Sequence, residues 1–66
     1  MNLNEKKVKE LGIDVGSTIK IINMVSHPEL KDKTGVVRAI TRDYQLQGTW
    51  SNIAIMPSVD KIEKVK

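Results

Sequence analysis

The residues able to do chemistry are few, and their spacing argues against catalysis. His27 is the only histidine, and the chain has no cysteine. It precedes Pro28 in a polar segment whose only nearby acids are Glu29 and Asp32. A metal site needs three or four ligands, so no metal is expected and His27 reads as a solvated loop residue. Nucleophilic catalysis needs a nucleophile, an oriented base and an oxyanion donor. Ser17, Ser26, Ser51 and Ser58 all lie near turns, where serine serves local hydrogen bonding. Asp14, Glu29, Asp32, Asp43, Asp60 and Glu63 share no spacing that would perturb their proton affinities. Four scattered glycines form no phosphate-cradling loop. The chain is therefore expected to be no enzyme and to carry no cofactor.

Binding chemistry is less restricted. Eleven Lys and Arg against eight Asp and Glu give a net charge of +3. The excess is even: residues 1–11, 12–59 and 60–66 each carry +1. A nucleic-acid footprint is normally concentrated on one face. Lys20, Arg38 and Arg42 are the residues that a fold could gather into such a patch. Aromatic rings are scarce: Tyr44, Trp50 and no phenylalanine. Polyproline grooves and single-strand platforms both need several rings, so neither is favoured. Trp50 is expected in the core. Tyr44, beside Arg42 and Asp43, is expected at the surface as a contact. Ile22 and Ile40 fall on the non-core faces of their strands. Left uncovered, they would form an apolar patch marking a protein interface; otherwise Leu3, Val8 and Leu11 would pack there. Met24 and Met56 read as core fillers.

These residues must be positioned by one small domain, 1–66. At 66 residues a chain buries only about 60% of the surface it exposes when unfolded. Residues 3–11 read as a helix, with Asn4 as N-cap, Leu3 and Val8 at hydrophobic-staple spacing, and Gly12 just past the end. Residues 16–66 read as β structure. Ser17–Met24 is rich in β-branched residues, with Ile19 and Ile21 on one face and Lys20 and Ile22 on the other. Residues 25–33 form a polar loop. Thr34–Thr41 is a second strand, where Gly35 marks a bulge or a close backbone approach. Gln45–Trp50 is a third strand. Ser51-Asn52 is its candidate hairpin turn, leading into Ile53–Met56. Pro57–Asp60 resembles one helical turn, and Ile62–Val65 is a last strand.

No connection is long enough for a parallel crossover, so the strands must be antiparallel. The expectation is a mostly β fold: a small SH3-like five-stranded antiparallel barrel with a short N-terminal helix, because closure hides the sheet edges. An OB-fold, with longer strands and an internal helix, is second. No apolar run reaches the length of about 18 residues that spans a bilayer. The start of the chain lacks an apolar signal region. A cytoplasmic protein with no membrane partner is expected.

Particular residues also match a family. Val15–Met24, then a Pro-containing loop, Gly35-Val36-Val37, Asp43, Trp50 and Pro57-Ser58-Val59-Asp60 with Ile62 resemble short domains of unknown function. These occur in Gram-positive bacteria, their phages and mobile elements. The resemblance covers nearly the whole chain and implies an SH3-like barrel but no activity. Two departures stand out: Ser51-Asn52 replaces an Asp and Gly after the Trp, and Gly48 stands where a β-branched residue is usual. A looser similarity is to KOW-type barrels, through Lys33-Thr34-Gly35-Val36-Val37 and Ile40. The expected function is a non-catalytic binding module with a protein partner, through Ile22, Ile40 or Tyr44. The alternative is a nucleic-acid-binding KOW-like barrel using Lys20, Arg38 and Arg42.

Overall fold

The computed structural model describes residues 2–65. It is mostly β: one helix, then five antiparallel strands in one sheet. The helix α1 spans Leu3–Leu11. Its N-cap is Asn2, whose side chain accepts the Asn4 and Glu5 amides at 2.7 and 3.3 Å. This corrects the expected cap at Asn4, which lies inside the first turn and is buried. Gly12 ends the helix in the left-handed region at φ 68°. The Ile13 amide returns to the Val8 carbonyl at 3.1 Å, closing the last turn as a glycine-terminated helix usually does. Val8 is buried and Leu11 packs on the core, but Leu3 is 69% exposed. The expected staple from Leu3 is therefore absent.

The strands are β1 (Thr18–Asn23), β2 (Thr34–Ile40), β3 (Leu46–Gly48), β4 (Ser51–Ile55) and β5 (Lys61–Val65). Their order across the sheet is β4-β3-β2-β1-β5. No ladder joins β4 to β5 among the described residues, so the sheet is open. β1 lies between β2 and β5, and alternation puts Ile19 and Ile21 fully inside. β2 carries two ladders in succession. Thr34–Val36 pair with β1, and Val37–Ile40 pair with β3 after an irregularity between Val37 and Ala39. Such an irregularity bends a strand, letting one sheet face its own core from two sides.

The core is Val8, Ile13, Ile19, Ile21, Met24, Leu30, Val37, Leu46, Trp50, Ile55 and Ile62. Leu30 comes from a 3₁₀ turn, Pro28–Leu30, inside the polar 25–33 loop. It anchors that loop, whose end continues the β1 ladder through Asp32 N–H to Ile21 O at 2.7 Å. Met24 is buried as expected, but Met56 is 40% exposed.

The β3–β4 turn is Thr49-Trp50, closed by the Gly48–Ser51 pair, two residues earlier than the expected Ser51-Asn52. Trp50 explains the shift. Its ring is buried, and Nε1 donates to the Ile53 carbonyl at 2.8 Å. It lies against two glycines. A Cβ on Gly48 would stand 2.3 Å from the Trp50 ring and from the Val36 oxygen. One on Gly35 would stand 3.0 Å from the ring and 2.8 Å from Thr49 Oγ1. The close approach expected at Gly35 is thus present. Gly48 makes room for the indole.

Candidate functional site

Among the sequence-selected residues, Lys20 and Arg38 are set apart along the sheet. Lys20 stands on β1 with Glu63 directly across on one side and Thr34 on the other. Opposite charges facing each other across strands partly neutralise one another. Arg38 lies four residues along β2 from Thr34, roughly 13 Å at the ordinary strand rise. That exceeds the screening length of about 8 Å at physiological salt. Arg42 is exposed in the turn between β2 and β3. Ile22 is half-buried, while Ile40 and Tyr44 are half-buried and packed on the core. None of the three is among the exposed large apolar residues, which are Leu3, Val15, Val25, Val36, Met56 and Val59.

Tyr44 is held in place rather than presented. Its backbone is left-handed at φ 60°, an unusual conformation for a bulky side chain. Thr41 fixes it: the Tyr44 amide donates to the Thr41 carbonyl at 2.9 Å, and the Gln45 amide donates to Thr41 Oγ1 at 3.0 Å.

A surface groove lies elsewhere, between α1 and the turn Met56–Asp60. Two adjoining depressions share Lys7 and Ser58. One is about 210 Å³, lined by Leu3, Lys6, Lys7, Glu10 and Ser58. The other is about 280 Å³ and adds Pro57, Val59, Asp60 and Lys61. Leu3 and Val59 are 69% and 61% exposed at its two ends. The residues shaping this groove are fixed by specific hydrogen bonds. Asn4 Oδ1 accepts the Ser58 amide at 3.0 Å, and Asn4 Nδ2 donates to the Asp43 carbonyl at 3.1 Å. Asp60 closes the turn on itself, with Oδ2 accepting the Met56 amide at 2.9 Å and its own amide donating to the Met56 carbonyl at 2.8 Å. The acid is therefore buried and occupied, leaving Glu10 as the exposed carboxylate against Lys6 and Lys61 and the half-buried Lys7.

Sequence reasoning missed this groove. Leu3 was assigned to packing, and Pro57–Asp60 was read only as a turn. The available signal was the pair Lys6-Lys7 beside Leu3, but nothing local says that a turn more than 50 residues later folds against it.

On α1, Lys9 Nζ lies 3.0 Å from Glu5 Oε2. This partner holds the Glu5 carboxyl below its ordinary range, and the Tyr44 hydroxyl adds in the same direction. The Glu5 carboxylate in turn raises the Lys9 ammonium. His27 Nδ1 lies 3.5 Å from Glu29. Among the described residues no three His, Cys, Asp or Glu are grouped to hold a metal ion. No helix there is long and apolar enough to cross a membrane. Neither a family model, nor a curated protein, nor a solved structure matches this chain.

Proposed function

We propose that this chain is a non-catalytic protein-binding module, and that its docking surface is the groove between α1 and the Met56–Asp60 turn. The single observation that carries this reading is the placement of exposed Leu3 and Val59 beside Lys6, Lys7 and Lys61. Exposed apolar side chains rimmed by charge are the usual signature of a protein contact. The local charge excess selects an acidic partner segment carrying apolar side chains. The separation of Lys20 from Arg38, and Glu63 across from Lys20, favour this reading over a nucleic-acid one.

An SH3-like arrangement belongs to the same proposal. Its support is connectivity: a long first loop, a meander through β2, β3 and β4, and a single turn before β5, in the order β4-β3-β2-β1-β5. Fold does not carry function here, so the reading stands on the groove.

A photo-crosslinking amino acid placed at Val59, with a second chain carrying it at exposed Val25 as control, tests the reading in extracts. The expected result is a discrete adduct from position 59 that weakens with added salt and is lost when Leu3→Ser is introduced. Equal adducts from both positions, or none from position 59, would overturn it.

A further inference from the structure

The second candidate site lies at the β3–β4 hairpin, beside β2. Between the pairs Leu46–Ile55 and Gly48–Ser51, β3 advances two residues while β4 advances four. The two extra residues bulge out of β4. Inside the bulge Ile53 finds local partners: its amide donates to Ser51 Oγ at 3.0 Å, and its carbonyl accepts Trp50 Nε1 at 2.8 Å. The bulge thus holds its shape without β3, and beside it opens a depression of about 340 Å³. Ordinary small-molecule sites begin near this size, at roughly 300 Å³.

Its lining is distinctive in chemistry. Arg38 comes from β2, Gln47 and Gly48 from β3, and Ser51, Asn52 and Ile53 from the bulge. Gly48 offers backbone alone, and the space its missing side chain leaves is filled by the Trp50 ring. No carboxylate lines the depression. Arg38 makes no ion pair among the described residues. The side chains of Arg38, Gln47 and Asn52 make no hydrogen bond there either. The guanidinium carries five N–H donors in a planar fork, and each carboxamide carries two donors and an acceptor. The Ser51 hydroxyl, having accepted from Ile53, still has its proton to give.

We propose that this depression binds a small molecule through an oxyanion, a carboxylate or a phosphate. The Arg38 guanidinium forms the charge-assisted, two-pronged contact, the Gln47 and Asn52 amides donate to the remaining oxygens, and Ile53 packs against the ligand's apolar part. The site shares no residue with the α1 groove, so either proposal can fail while the other stands.

The test is an amide-resolved NMR titration of the full chain at low ionic strength, with sodium phosphate, sodium acetate and adenosine monophosphate as probes and sodium chloride as control. Saturable shifts are expected at the Gly48 and Asn52 backbone amides and at the Gln47 and Asn52 side-chain amides, at concentrations where chloride produces none. The phosphate and acetate arms separate the two oxyanion types. Arg38→Gln should weaken binding at least 10-fold, the scale set by losing a charge-assisted contact of about 1.5–3 kcal/mol. Arg42→Gln and Leu3→Ser should leave it unchanged. Asn52→Asp, which sets a carboxylate into the site, should abolish it while the spectrum stays dispersed. Shifts that chloride reproduces, or an Arg38→Gln chain that binds as the parent does, would refute the site.

Discussion

Asn4 and Ser58 are 54 positions apart, and the Asn4 side-chain oxygen accepts the Ser58 amide at 3.0 Å. Its nitrogen meanwhile holds the Asp43 carbonyl at 3.1 Å. One buried carboxamide thus ties α1 to the β2–β3 turn and to the turn before β5. Asn2 Nδ2 also donates to the Asp43 carbonyl at 3.3 Å, but among the described side-chain hydrogen bonds only those of Asn4 reach both turns.

Asn4→Ala should therefore act differently from Asn2→Ala, although both lie at the start of α1. Losing Asn4 removes the acceptor of the Ser58 amide, a cost of about 0.5–1.5 kcal/mol, while the Asp43 carbonyl keeps Asn2 Nδ2 at 3.3 Å. Losing the Asn2 cap costs about 1 kcal/mol. Urea denaturation measures both. Hydrogen exchange separates them: the Ser58 amide should exchange faster than global stability dictates in Asn4→Ala only. Equal, purely global acceleration in both variants would show that Asn4 does not shape the groove.

Gly48→Val places a β-branched residue in a strand, where such residues are usually favoured, yet it should destabilise this chain. The new side chain would occupy the space of the Trp50 ring and the Val36 oxygen. Overpacking of this kind costs about 1–3 kcal/mol or more, a large share of the stability of a small domain. Trp50 fluorescence should shift to the red as the indole is displaced. An unchanged spectrum and midpoint would show that the hairpin tip repacks freely.

Asp32 is exposed with φ 69°, a left-handed conformation that glycine adopts without the Cβ penalty. Asp32→Gly should raise stability by about 0.5–1 kcal/mol, since aspartate already tolerates this region better than most residues. A thermal midpoint below the parent's would show that the side chain contributes more than its backbone strain costs.

The Glu5–Lys9 pair sets a pH signature. The folded Glu5 carboxyl is held below its ordinary value of 4.5, so its contribution is present above that pH and is lost as pH falls through the folded value. The Lys9 ammonium is raised, so its share is lost only as pH rises through its folded value. The parent should melt slightly above Glu5→Gln at neutral pH, and the gap should close in acid. A gap that persists undiminished at pH 2 would place its origin elsewhere.

Local pattern carried much of the fold. Alternation in Ser17–Met24 placed Ile19 and Ile21 inside, and the glycine at position 12 ended the helix at the expected residue. Trp50 was legible as core because a lone large apolar ring in a chain this short has few other places to go. The hairpin turn was not legible. The apolar pattern around residues 46–56 fits a turn at 49–50 or at 51–52, and only the indole reaching Gly35, Gly48 and the Ile53 carbonyl selects the first. The candidate sites were less legible still. Ile40 and Tyr44 were chosen by strand parity and turn position, but the bend in β2 and the left-handed Tyr44 rotate both toward the core.

The sequence by itself determined a mostly β, antiparallel fold and, holding no cysteine, excluded a thiolate metal site. Those properties follow from length, composition and period, which are local and additive. Only the tertiary structure decided which surface is available to a partner. Burial of Asn4 against Asp43 and Ser58 depends on contacts between segments distant in the chain, and the depression holding Arg38 with Gln47 and Asn52 depends on the pairing of β2, β3 and β4. Such contacts leave no periodicity to read, because the side chains that make them are single polar residues whose partners are backbone groups.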